Sequence, residues 1–209
     1  MISLKDITVK FNDAYILKDF NLTIEKGEKV LISGKSGIGK STLLKLLLGF
    51  ALPDKGSIHF NDSILDKNNI WEFRKSVAYV SQDLDIGEGE VKELIKKIFM
   101  FKSNSEAAFS KDNLTDLIHV FELDEEILSK NYEELSGGEK QRIVIIISIL
   151  LNREIFLLDE ITSALDENLK KKVIDYFLDW NDLTVIIISH DTDYIQTNKL
   201  RKIKLEAQK

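Results

Sequence analysis

Nine residues, GKSGIGKST from Gly34 to Thr42, stand between an apolar run at Lys29–Ser33 and a second apolar stretch at Thr42–Phe50. They satisfy G-x-x-x-x-G-K-[ST], and their flanks supply the strand before and the helix after that the pattern requires. Gly34, Gly37 and Gly39 let the backbone turn its N–H groups inward, which makes a nest for an anion. Lys35, Ser36 and Ile38 fill the positions between them. The helix that follows aims its positive N-terminal end at the same point. Lys40 then supplies a cation to the outer phosphates of a nucleotide, and the Ser41 hydroxyl is placed to ligate Mg²⁺, with Thr42 beside it. A glycine-rich linking turn would need neither the lysine nor the hydroxyls.

A strand feeding such a loop and helix implies an α/β layer, and the rest of the chain fits one. Val77–Val80, Ile155–Leu158 and Thr184–Ile188 are compact apolar runs suited to strands buried on both faces of a parallel sheet. Ile2, Leu4, Ile7 and Val9, then Ile16–Ile24, predict two strands joined by a turn at Asn12–Asp13. Pro53 and Gly56 precede a short strand at Ser57–Phe60. The stretch from Asp83 to Leu135 predicts helices around Val91–Phe101, Leu114–Phe121 and Glu125–Leu128, a lobe inserted in a single domain spanning residues 1–209. That stretch carries 14 acidic and 6 basic residues, a net −8 within a chain whose formal charge is −6. The balance disfavours nucleic-acid wrapping. No cysteine is present, which excludes disulfides and thiolate metal sites. Met1–Lys10 lacks a signal-peptide core, and Ile143–Leu151 is too short to span a bilayer, so action at a membrane requires a partner.

Ile155–Glu160, IFLLDE, ends an apolar strand in two acids. Ligands of open α/β sheets bind at that edge, so Asp159 becomes a candidate Mg²⁺ partner and Glu160 a candidate for polarising an attacking water. Alone, such a strand end reads as solvated; the phosphate loop makes the pair meaningful. Leu135–Arg142, LSGGEKQR, opens a long apolar helix predicted over Glu139–Leu151. Its serine and two glycines form either a second anion nest or an ordinary capping box, Ser136-x-x-Glu139.

Ser136, Gly137, Gly138 and Glu139 resemble the signature motif of the ATP-binding-cassette (ABC) ATPases, and that family's other motifs follow in order. Gln82 in YVSQD resembles the Q-loop glutamine; Ser163, Ala164, Leu165 and Asp166 resemble the D-loop; His190 in IISHD resembles the switch histidine. Phe11 stands where the family places the aromatic that stacks on adenine, with Tyr15 as the weaker alternative. The resemblance covers essentially the whole chain. It implies a P-loop NTPase core with a parallel sheet, an antiparallel β subdomain and an inserted α-helical subdomain. It also implies ATP and Mg²⁺, the latter held by Ser41, Gln82 and Asp159. It further implies a head-to-tail homodimer, each ATP lying between one phosphate loop and the other chain's signature, and a separate membrane permease gripped by the helical lobe near Gln82. That places the chain on the cytoplasmic face of the cell membrane.

SKNYEELSGGEKQR, LLDEITSALDEN and SHDTDYI narrow the resemblance to the ATPase subunit of bacterial Fet/Ybb-type exporters, associated with ferric iron efflux; Ile161 stands where proline is common. A soluble ABC ATPase acting on ribosomes or DNA is the alternative, disfavoured by a single phosphate loop and no long heptad insertion. A catalytically dead binding module is opposed by Lys40, Glu160 and His190. His59 and His119 read as ordinary satisfied side chains, and Trp71 and Trp180 as packing. Phe99, Met100 and Phe101 read as core of the helical lobe, with a groove for a membrane partner as the other reading. Lys199–Lys209, with five basic residues and one acid, reads as a solvated final strand, and no appended regulatory domain is expected.

Overall fold

The structure, a computed structural model, describes residues 1–12, 14–190 and 197–206. Outside that set lie Asp13 of the expected turn, residues 191–195 of the SHDTDYI string and residues 207–209 of the basic tail. In chain order the described strands are β1 Ile2–Phe11, β2 Ala14–Ile24, β3 Lys29–Ser33, β4 Lys55–Phe60, β5 Ser63–Ile64, β6 Val77–Val80, β7 Ile155–Asp159, β8 Thr184–Ile188 and β9 Arg201–Lys204. The α-helices are α1 Lys40–Leu47, α2 Ile70–Lys75, α3 Val91–Met100, α4 Lys111–Val120, α5 Gly137–Leu150 and α6 Glu167–Asp179.

Two sheets result. One runs β2-β1-β4-β5 and is antiparallel, with Ile2 facing Ile24 on one side and Phe60 on the other. The second runs β6-β7-β8-β3-β9 with every pair parallel. Strand alternation divides its two faces between two cores. Ile155 and Leu157 of β7 and Ile186 of β8 join α1 and the antiparallel sheet, whereas Phe156, Leu158 and Ile187 join α3, α4, α5 and α6. The parallel strands are therefore apolar on both faces, and β7 and β8 are buried throughout. Phe156 packs on Phe177 of α6 with ring centroids 5.2 Å apart. Burying a side chain of that size contributes about 2 kcal/mol.

Several boundaries differ from the sequence reading. The first helix stops at Leu47, short of Phe50, because Gly49 turns the chain left-handed at φ +66°. The short strand belongs to the antiparallel sheet and starts at Lys55, where Gly56 (φ +90°) lies so close to β1 that a Cβ would stand 2.4 Å from the Lys5 carbonyl oxygen. Glu125–Ser129 is a 3₁₀ turn instead of an α-helix, since five residues do not repay α-helix nucleation. Met100 and Phe101 are solvent-exposed, at 83% and 60%, so they are not core; Phe99 alone of the three packs inward, edge-on to Phe109. Trp71 is also exposed, its ring covered on one side by the Arg74 guanidinium at 4.7 Å, whereas Trp180 packs on Phe156 and Tyr176 as expected. His59 bonds Ser57 Oγ at 2.8 Å, and His119 meets Glu125 at 3.3 Å. No helix among the described residues is long and apolar enough to cross a membrane.

Candidate nucleotide-binding site

Three adjacent parallel strands, β7, β8 and β3, end at one edge of the sheet. Each hands its next residues to one cavity of about 220 Å³. From β7 come Asp159 and Glu160, from β8 Ile188 and His190, and from the loop after β3 Ser36, Gly37, Gly39, Lys40, Ser41 and Thr42; Gln82, just past β6, completes that wall. Gly34, Lys35 and Ile38 do not line the cavity, but the carbonyls of Gly34 and Lys35 accept from Lys40 Nζ at 2.8 and 3.2 Å.

Lys40 is buried, and its third contact is His190 Nε2 at 3.0 Å. An ammonium has three donors, and all three are satisfied in the tautomer that leaves Nε2 unprotonated. The same His190 nitrogen lies 3.2 Å from Glu160 Oε1. Glu160 adopts φ +53°, a left-handed conformation that costs a non-glycine residue about 1 kcal/mol. Two bonds hold it there: its N–H donates to the Ile188 carbonyl at 2.9 Å, and its carbonyl accepts from Ser163 N–H at 3.2 Å. Asp159 is pushed above the usual carboxylate range, first by burial and then by the charge of Glu160, with Lys40 opposing. Tyr79 is raised by burial and by Asp159.

The loop has a steric requirement as well as an electrostatic one. Gly39 sits at φ +112°, and a Cβ there would come within 2.6 Å of Ile16 Cγ2. Ile16, on β2, lines the cavity and was not picked out from the sequence. Its approach is a contact between the antiparallel sheet and the loop ahead of α1, and no local pattern announces it. Phe11 ends β1, is 67% exposed and is not among the cavity-lining residues; Tyr15 lies under the ammonium groups of Lys10 and Lys18 at 4.7 and 5.1 Å.

Ser136–Glu139 stand apart from this cavity. Ser136 caps α5 in a capping box: its hydroxyl accepts from Glu139 N–H at 3.3 Å, and the Glu139 carboxylate accepts from Ser136 N–H at 2.9 Å. The Ser136 hydroxyl and N–H hold the Glu139 carboxyl below its ordinary range. Ser136 and Gly137 face solvent. Ala164 of the Ser163–Asp166 segment lies against both signature glycines, and Asp166 caps α6 through Asn168 N–H and Leu169 N–H. Among the described residues no cluster of three or more acidic, histidine or cysteine side chains forms a metal site.

This architecture, with a phosphate loop, a strand-end acid pair and a histidine on one sheet edge, is that of a P-loop nucleotide hydrolase. The chain belongs to the ABC transporter family, whose model matches residues 17–163. It is similar to the "Probable iron export ATP-binding protein FetA" of Escherichia coli K12, 34% identical over 199 residues and covering 93% of this chain and 87% of that one. It is also similar to the ergothioneine transport ATP-binding protein EgtV of Helicobacter pylori G27, 31% identical and covering 100% and 99%. Among solved structures, the dimeric ABC transporter cassette MJ0796 superposes with a TM-score of 0.80 at 27% identity, over 98% of this chain and 94% of that one. A post-hydrolysis dimer of the same cassette, bound to ADP and Pi, scores 0.80 at 26% identity over 99% and 97%. The chain is accordingly an ABC-type ATPase that converts ATP and water to ADP and phosphate.

Proposed function

We propose that this ATPase energises a membrane transporter by closing head to tail on a second copy of itself around two ATP molecules. One observation carries the proposal: phosphate loop, acid pair, Gln82 and His190 share one cavity, whereas Ser136–Glu139 lie outside it, with Ser136 and Gly137 facing solvent. Each chain is thus a donor of one half-site and an acceptor of the other.

In the proposed cycle the β and γ phosphates of ATP replace the two loop carbonyls and His190 as acceptors for Lys40. The loop N–H groups and the start of α1 take the remaining phosphate oxygens. Glu160 accepts the proton of the attacking water, and His190 holds that carboxylate and senses the terminal phosphate. Ser41, Gln82 and Asp159 offer a hydroxyl, an amide and a buried carboxylate on one wall, an all-oxygen set suited to Mg²⁺ completed by substrate phosphates. When bound, Mg²⁺ would neutralise developing phosphate charge. Phe11 is proposed as the adenine platform, its exposed ring free to stack.

The permease partner would meet the helical lobe of residues 83–135. Its net −8 suits basic cytoplasmic loops, and the exposed Met100 and Phe101 give it apolar ground. This contact would hold the chain at the cytoplasmic face of the membrane. For cargo we carry forward iron export, supported by the similarity to FetA. Deleting the gene is then expected to raise cell iron and peroxide sensitivity under iron load; unchanged values in a strain without a redundant exporter would point to another cargo.

The dimer is tested with Glu160→Gln, which keeps side-chain size but removes basicity. It is expected to bind ATP without hydrolysing it, and to run as a monomer alone and a dimer with ATP on size exclusion coupled to light scattering. Adding Ser136→Arg should restore the monomer. A monomer at saturating ATP would overturn autonomous homodimerisation.

A further inference from the structure

Gln141 lies near the end of LSGGEKQR without an assigned role, yet it is 1% exposed and bonded through both ends of its amide. It lies three residues after Gly138 on α5, so the two share a helix face. That face looks at Ala164. A Cβ on Gly138 would stand 3.0 Å from the Ala164 carbonyl oxygen and one on Gly137 3.7 Å from Ala164 Cβ. Gln141 Oε1 accepts from Ala164 N–H at 3.2 Å, and its Nε2 reaches the Glu160 carbonyl oxygen at 3.5 Å. The amide orientation is dictated by its neighbours, since one is a donor and the other an acceptor. Both ends of one side chain therefore grip the turn that begins at the catalytic carboxylate. The same turn bonds itself through Ser163 N–H to Glu160 O and Leu165 N–H to Thr162 O, so it moves as a unit.

We propose that Gln141 is a positioning residue that ties the Glu160 turn of one ATP site to the signature helix serving the other. The link between the two sites rests on the head-to-tail dimer proposed above. Within a chain, Gln141 sets where the Glu160 backbone sits relative to the start of α5. Between chains, the start of α5 meets the partner's nucleotide, so occupancy of one site would be felt as a displacement of the carboxylate at the other. A rigid polar clamp transmits such a displacement better than apolar packing, because its two hydrogen bonds have fixed directions.

The test replaces the amide by an unbranched thioether of similar length, Gln141→Met. The expected result is kcat reduced about tenfold with the KM for ATP within twofold of wild type, and the Hill coefficient for ATP falling toward 1. ATP affinity measured with a fluorescent analogue should stay unchanged, as no phosphate contact is touched. Unchanged kcat and unchanged cooperativity would overturn the proposal. Hydrogen exchange of the wild-type protein provides a readout that survives if the variant misfolds. At protein concentrations where light scattering shows a monomer, adding a non-hydrolysable ATP analogue should protect segments 137–142 and 160–166 together; independent responses would overturn the coupling. Glu160→Gln run alongside separates the two readings. If it stays monomeric with ATP, the dimer fails, while the joint exchange response, an intrachain property, still decides the clamp.

Discussion

Asp159 carries two demands that conflict in the absence of substrate. In the proposed cycle Asp159 holds Mg²⁺ as an ionised carboxylate, but burial and Glu160 raise its pKa. A carboxylate whose folded pKa is raised contributes stability that is full below the ordinary aspartate value and is lost as pH rises through the raised one. Ionisation above that raised value therefore costs stability, and Asp159→Asn is expected to raise the nucleotide-free melting temperature at neutral pH. The gain should vanish when melts are repeated in acid, while ATPase activity falls roughly a hundredfold. A lower melting temperature at neutral pH would show that the carboxylate is already compensated. Lys40→Ala gives the complementary result. It removes the cation held by Gly34 O, Lys35 O and His190, so hydrolysis should be lost and ATP affinity reduced about a hundredfold in a titration.

At the scale of elements, α5 links local chemistry to packing. Ile143, Ile145, Ile146, Ile147 and Ile149 put it in the core, and Ser136 with Glu139 sets where it begins. Ser136→Ala removes the capping hydroxyl and should cost about 1 kcal/mol. Part of that stability comes with the depressed Glu139 pKa, so it is present above the ordinary glutamate range and lost as pH falls through the lower folded value. The difference between wild type and Ser136→Ala should thus shrink in melts below about pH 4. The helix was legible because its cap and apolar run are contiguous. By contrast, α6 carries a weaker sequence signal: Glu167–Lys172 opens it with charges, and its apolar face of Leu169, Val173, Ile174 and Phe177 shows only at helical spacing. Asp166, read only as part of the D-loop, is the cap that would have marked it.

For the whole molecule, the two cores separate the work. The antiparallel sheet and α1 support the phosphate loop from one face, and α3 to α6 support the strand ends from the other. The acidic stretch lies on the second side, which is why we propose the permease contact there. Crosslinking in membranes from cells carrying both subunits is expected to link the partner to residues 83–135. Crosslinks confined to the β9 side, near Lys202, would move the interface to the opposite face.

The sequence alone determined the chemistry that depends on neighbours along the chain. Gly34–Thr42, Asp159–Glu160 and Ser136–Glu139 each complete a local geometry within a few residues, so their spacing carries their meaning. The strands β3, β7 and β8 were legible for the same reason, since burial on both faces leaves an uninterrupted apolar run. Only the tertiary structure decided what depends on distant segments meeting. Strand order placed His190 between Lys40 and Glu160, packing of β2 on the phosphate loop brought Ile16 against Gly39, and helix docking set Gln141 against Ala164. Those pairings are 23 to 150 residues apart, from Gln141 and Ala164 to Lys40 and His190. Loop closure over such spans is stabilised by the whole core, so no local pattern can encode it.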